Sequence, residues 1–328
     1  MRTGEPVRAP VLSAGILVAD IFVPPLERLP ASGELASTDD FLVQPGGCAA
    51  NTALVLGRLG VPATVVGRVG DDLFGEMVER YLAERGIDTS GVLRTPSQGT
   101  SKTVALSVIG DDRRFVHTFG ANAALTAGDL PEAALEAAAV VYVGGYLVLP
   151  SLRQHELAER FRRAREHQAR IVLDVVVPID SHELSLDAVR ELLPLTDYFV
   201  PNEDEARSLT GEDDPRAQAG RILEAGARTV VIKRGASGAF VCSRDDELDL
   251  PAPPIDAVEP SGAGDAFAAG LIVGILESWP LERSVRFASV MGASVCTALG
   301  CHGGAFTREE ADAFLAANPG WARAVGRT

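Results

Sequence analysis

Apolar residues run continuously over positions 11–19, the pattern of a strand covered on both faces, and Asp20 falls at its C-terminal end. Open α/β sheets gather ligands at that edge, although an acid there can also be an ordinary loop residue. Residues 31–43 set Ser and Thr among alternating apolar positions ahead of Gln44-Pro45, which predicts a strand or two outside the main sheet. Gly46-Gly47-Cys48-Ala49-Ala50-Asn51 opens a helix running to about Leu59 and stopped by Gly60, and 63–67 and 72–85 read as the next strand and helix. From Ser101 the period changes to two. Val104, Leu106 and Val108 alternate with Thr103, Ala105 and Ser107, Asp111-Asp112 turns the chain, and Phe115, His117 and Phe119 alternate on the return. This is a hairpin inserted between βα units, a small flap or a dimer-forming sheet, with His117 expected as a packed or solvated hairpin residue.

Beyond Gly120-Ala121-Asn122 strand and helix alternate again. Strands are expected at 140–143, at 170–177 with Asp174 on it, at 198–200, at 229–233 and at 239–243; helices are expected at 151–167, one opening at Pro201-Asn202-Glu203-Asp204-Glu205, and then one through Ala225. Regular alternation of this kind implies a mainly parallel sheet with helices on both faces.

Charge narrows the possible partners. A net charge of −15 repels a nucleic-acid backbone and an anionic membrane surface alike, so neither is expected as a partner. The four cysteines form no CxxC pair and the five histidines no metal-ligand spacing, so zinc and disulfide frameworks are not expected. The stretch 11–19 has the length of a signal-peptide core, but Asp20 and then Pro24-Pro25 interrupt it. No run spans a membrane, and a reduced, cytoplasmic setting is expected. Lysine occurs only at Lys102 and Lys233.

Chemistry concentrates at 259–276, EPSGAGDAFAAGLIVGIL. Ser261 reads as a helix N-cap, and Gly262, Ala263 and Gly264 leave the first-turn amides uncovered where the helix dipole is positive, a seat for phosphate oxygens. Asp265 beside them could take a proton, or could simply compensate the dipole. Gly46 and Gly47 allow close backbone approach, and Asn51 offers a donor and acceptors to hydroxyl groups. Glu203 and Glu205 either compensate a helix start or hold a hydrated Mg2+. The turn Gly235-Ala236-Ser237-Gly238 either joins two strands or lets a nucleotide base lie on backbone.

Together these segments resemble the ribokinase-like carbohydrate kinases, the PfkB family, across nearly the whole chain: QPGGCAANTALVLGRLG and SGAGDAF match in order and spacing, with the hairpin leading into GAN, then PNEDEA and VVIKRGASGAF, between them. The resemblance implies an α/β three-layer sandwich, with 1–328 a single domain carrying lid segments at about 21–44 and 99–119. It implies transfer of the γ-phosphoryl group of ATP to a sugar hydroxyl, with Asp265 as base and the amides of Gly262, Ala263, Gly264 and Asp265 as anion hole. Asn202, Glu203 and Glu205 match the Mg2+ and phosphate segment, Asp20, Gly46, Gly47 and Asn51 the sugar-contacting positions, and Lys233, Gly235 and Gly238 the nucleotide-binding stretch. Lids of this kind often pair into homodimers. Glu259-Pro260-Ser261 stands where many members have Asp-Thr-Thr tied to a monovalent cation, so K+ activation is not expected; Cys48 stands where ribokinases often have lysine, which disfavours ribose. A nucleoside kinase, or a catalytically silent sugar- or nucleotide-binding regulator, is the alternative. A Rossmann oxidoreductase is disfavoured because Phe267 occupies the place of the third glycine of GxGxxG.

Overall fold

The apolar stretch read as one strand folds as two, β1 (Val11–Gly15) and β2 (Val18–Leu26), and they belong to different sheets. The break falls at Gly15, whose φ of 145° and whose hydrogen in place of a Cβ, which would lie 2.1 Å from the Gly144 carbonyl oxygen, let the chain leave the sheet there. The buried side chain of Asn122 meets the crossing: its Oδ1 accepts from the Leu17 amide at 3.0 Å and its Nδ2 donates to the Leu17 carbonyl at 2.9 Å. Asp20 therefore rides on the second sheet and not on a main-sheet strand, a correction to the placement expected from sequence.

The computed structural model describes residues 11–110, 114–177 and 184–323. The further strands are β3 (Leu42–Gly46), β4 (Ala63–Gly70), β5 (Asp88–Thr95), β6 (Lys102–Val108), β7 (Arg114–Thr118), β8 (Val140–Gly144), β9 (Arg170–Leu173), β10 (Tyr198–Phe199), β11 (Thr229–Lys233), β12 (Ala239–Ser243) and β13 (Glu247–Leu250). Nine of the described strands form the main sheet in the order β13-β12-β11-β10-β9-β8-β1-β4-β5. It is parallel from β11 to β5, and β12 and β13 finish it antiparallel. The second sheet is β3-β2-β6-β7, with β2 and β6 parallel and its outer pairs antiparallel. The expected outer strand at 31–43 forms only from Leu42 onward, and the turn expected at Asp111-Asp112 lies outside the described residues.

Helices cover both faces of the main sheet. They are α1 (Cys48–Arg58), α2 (Leu73–Glu84), α3 (Glu132–Ala137), α4 (Gln154–Glu166), α5 (Glu203–Thr210), α6 (Pro215–Glu224), α7 (Ala263–Leu276), α8 (Leu281–Val295), α9 (Arg308–Ala317) and α10 (Pro319–Arg323). One buried cluster takes side chains from α1, α2, α7, α8 and α9, and another takes them from α3 to α6, so the sheet is the middle of three layers. The stretch from Glu203 to Ala225 holds two helices, because Gly211 ends α5 in a left-handed turn and Pro215 starts α6. Helix α7 is buried nearly all round. At Gly270 and Gly274 a Cβ would lie 2.7 Å from Ala288 Cα and 2.3 Å from Ser284 Oγ, so these two positions let α8 pack directly on the α7 backbone.

Candidate active site

The N-cap of α7 is Gly262, with φ 78°, and not Ser261, and no side chain caps the helix. A Cβ at Gly262 would lie 2.0 Å from the Cys301 carbonyl oxygen, so the left-handed turn and the close approach both demand glycine. Ahead of it the buried Glu259 carboxylate accepts from the Ser261 amide at 2.9 Å and shapes the loop. The Ala263 amide donates to the Pro260 carbonyl at 3.2 Å, whereas among the described residues the Gly264 and Asp265 amides meet no protein acceptor. Two open donors at the positive end of a 14-residue helix remain available to an anion.

Asp265 stands in that first turn, partly buried, and its Oδ2 accepts from Asn51 Nδ2 at 2.8 Å. Asn51 comes from the opening of α1, where Gly47, with φ 87°, starts the helix hard against the Ile16 carbonyl. The two glycine-marked helix starts, 214 residues apart, thus meet through one hydrogen bond. Asn51 Oδ1 is buried and has no partner. Burial raises the Asp265 pKa; the Asn51 amide, the Lys233 ammonium and the Cys48 thiol oppose it. Burial, with Asp265 nearby, holds the Cys48 thiol well above its usual value, so it is neutral and inert as a nucleophile.

Lys233, at the end of β11, does not extend toward the Gly235–Gly238 turn. Its Nζ donates to Asp174 at 2.7 Å and 3.0 Å, with the Lys233 side chain 14% exposed and that of Asp174 3%. Asp174 lies one residue beyond β9 and is pushed up to about 6 by burial, against the pull of Lys233. Its place beside Lys233 makes it a candidate site residue, and its sequence signal is the one Asp20 carries, an acid closing an apolar run. In the turn itself Gly235 is open, with nothing within 4 Å of its missing Cβ, while Gly238 is pressed against the Leu250 carbonyl.

Asn202 and Glu205 form a capping box at the start of α5: the Glu205 amide donates to Asn202 Oδ1 at 2.8 Å, and the Asn202 amide to Glu205 Oε2 at 2.7 Å. Asn202 also bridges to Lys233 through backbone. Glu205 is buried and raised to about 7 by that burial, with Lys233 opposing and Asp174 and Asp265 adding to it. Glu203 is partly buried. Among the described residues no three His, Cys, Asp or Glu side chains are placed to close around a metal ion.

Asp20 reaches the same region from the second sheet. It is 8% exposed, accepts from Cys301 Sγ at 3.3 Å, and sits so close to Gly46 that a Cβ there would lie 1.7 Å from its Oδ2. Gly46 therefore makes room for a carboxylate of the protein itself. Burial lifts Asp20 to about 6, against hydrogen bonds from Cys301 and Thr103. Nothing in the sequence pattern marks Cys301. His117 bonds Thr103 on the exposed hairpin, in keeping with its expected role.

A carboxylate and open helix-start amides at the C-terminal edge of a parallel sheet, with a small second sheet carrying another acid to them, define a small-molecule phosphotransferase. The chain belongs to the pfkB family of carbohydrate kinases, whose family model matches residues 9–307, and it is a kinase acting on a sugar hydroxyl. It is 28% identical to the ribokinase of Bacillus subtilis (strain 168) over 291 residues, covering 88% of this chain and 94% of that protein. It is also 28% identical to the 2-dehydro-3-deoxygluconokinase of the same organism, over 293 residues covering 87% and 90%. An E. coli protein solved in complex with ATP and Mg2+ superposes with a TM-score of 0.80 over 94% of this chain and 99% of its own, at 24% identity. Among the described residues no helix is long and apolar enough to cross a membrane.

Proposed function

We propose that this kinase moves the γ-phosphoryl group of ATP to a hydroxyl of a small sugar, with Asp265 as the general base. The observation that carries the reading is the Asn51–Asp265 hydrogen bond, which fixes the carboxylate at the start of α7; its other oxygen is read as the one that takes the proton of the acceptor hydroxyl. The phosphoryl group lies on the amides around Gly262, Ala263, Gly264 and Asp265, of which those of Gly264 and Asp265 are open. Phosphoryl transfer is catalysed mainly by positioning and by stabilising spread negative charge, so open amides matter as much as the base. Asp20 and Asn51 bind acceptor hydroxyls, and Gly46 and Gly47 bring the backbone beside them. The open face at Gly235, with Gly238 holding the turn, takes the nucleotide.

Asn202, Glu203 and Glu205 are oxygen donors on one helix start, a set that suits Mg2+ when ATP oxygens and water supply most of its ligands. The metal would shield phosphate charge. The second sheet is read as a lid that closes over the sugar and excludes water, which otherwise competes as acceptor. Phe115 and Val116 on its edge strand are exposed, which fits a homodimer formed through the lids. Two relatives named for ribose and for 2-dehydro-3-deoxygluconate favour a sugar over a nucleoside.

ADP release is the test, with ATP and Mg2+ against pentoses, hexoses, 2-dehydro-3-deoxygluconate and nucleosides. Asp265→Asn should lower turnover on the accepted substrate by about 10²–10⁴-fold without unfolding the protein. Wild-type turnover should fall on the acid side, above the ordinary aspartate range, as the raised Asp265 takes a proton. An Asn variant as fast as wild type overturns the base assignment.

A further inference from the structure

Of the two lysines in the chain, Lys102 opens β6 of the second sheet with its ammonium on the Thr100 carbonyl, and Lys233 alone is carried into the site. An ammonium has three N–H groups. Asp174 is the one protein acceptor of the Lys233 ammonium among the described residues, through its two oxygens, which leaves a donor without a protein partner. The ammonium also lies against the first turn of α7: a Cβ on Gly264 would come within 3.2 Å of Nζ. Gly264 thus lacks a side chain where the lysine head needs the space. A cation next to the positive end of a helix is unfavourable by itself, and an ion pair meant only for stability is no better than a packed apolar pair. The arrangement makes sense when a further anion arrives at that helix end.

We propose that Lys233 is a catalytic residue whose remaining N–H donates to the phosphoryl group in transit at the α7 N-terminus, and that Asp174 is a positioning residue that aims the ammonium. This rests on the phosphoryl-transfer reading of the α7 start. As the acceptor oxygen bonds to the γ-phosphorus, the bond from that phosphorus to the β–γ bridging oxygen breaks. ADP leaves with the electron pair, and the hydroxyl proton passes to Asp265. Lys233 gives and takes no proton in this step; it adds one fixed positive charge beside the open Gly264 and Asp265 amides.

Two comparisons test it. Lys233→Met leaves Asp174 buried without its counter-charge, so it is paired with the double variant Asp174→Asn, Lys233→Met, whose folding is checked by thermal unfolding. With the sugar that wild type accepts, both variants should lose about 10²–10³-fold in kcat, with little change in the KM for that sugar. Recovery of near wild-type turnover in the double variant would show that the lysine only neutralises Asp174, and would overturn the proposal. The second readout needs no acceptor: binding of β,γ-imido-ATP with Mg2+ should weaken about tenfold or more in the double variant, while ADP binding stays within about twofold. Equal weakening of both nucleotides would place the ammonium on another part of the nucleotide and overturn the proposal as well. If Asp265→Asn keeps full activity, the base assignment fails separately, and these two comparisons still decide Lys233.

Discussion

Burial lifts the Glu205 carboxyl from an ordinary value of 4.5 to about 7, against the attraction of Lys233. Between those two values the unfolded chain is ionised and the folded one is not. The unfolded state is therefore favoured increasingly as pH rises through that window, and the full penalty is present above about 7. Glu205→Gln keeps an oxygen acceptor for the Asn202 amide and removes the titration. Urea unfolding of the nucleotide-free protein should show the Gln variant gaining on wild type from pH 5 to pH 8; a constant difference would contradict the buried-charge account. Asp20 and Asp174, each raised from 3.8 to about 6, act with the same sign. Asp72 acts with the opposite sign. Burial works against its charge, but Thr100 and the amides of Gly75 and Thr100 outweigh it and hold it at about 2, so its contribution is lost as pH falls toward 2. Asp265, Asn51 and Glu205 were legible in the sequence because each sits in a short local pattern that opens a helix. Asp174 and Cys301 were not singled out, since what makes them site residues is the arrival of Lys233 and Asp20 from far along the chain. Ser261 was misread for a subtler reason, the left-handed φ of its neighbour, which no composition rule reports.

Among the elements, the βα alternation could be read because a parallel sheet covered on both faces leaves apolar runs between polar-faced helices. The split between β1 and β2 could not. A strand passing from one covered sheet to another carries the same apolar residues throughout, and only Gly15 marks the place. The crossing depends on Asn122, whose amide serves both polar groups of Leu17, a fully buried residue. Asn122→Ala would orphan both, at a cost of roughly 1–3 kcal/mol for each group. Denaturant unfolding should register that loss. Asn122→Asp, which keeps an acceptor for the Leu17 amide but no donor for its carbonyl, should not restore it. The outer strand near 31–43 was overestimated because alternation alone says nothing of whether a strand partner lies alongside, and pairing begins only at Leu42.

For the molecule as a whole, a net charge of −15 opposes any association between copies. If the lids pair, apolar contact at exposed residues such as Phe115 and Val116 must overcome that repulsion. The dimer should then be more populated at 0.5 M NaCl than at low salt, and Val116→Lys should shift light scattering toward the monomer at both. A wild type that is monomeric in both conditions would remove the dimer from the reading. If the second sheet moves as the proposed lid, the Asn122 bonds to Leu17 set where it would turn. A plate pinned at one margin swings about the pin, and each point travels in proportion to its distance from it. At about 3.3 Å per strand residue, Asp20 lies roughly 10 Å along β2 from Leu17 and Leu26 roughly 30 Å. In the lid reading, a swing about that pin would carry the far rim about three times as far as the acid: the short lever arm would keep Asp20 near the reacting atoms while the long one opened the mouth for the sugar.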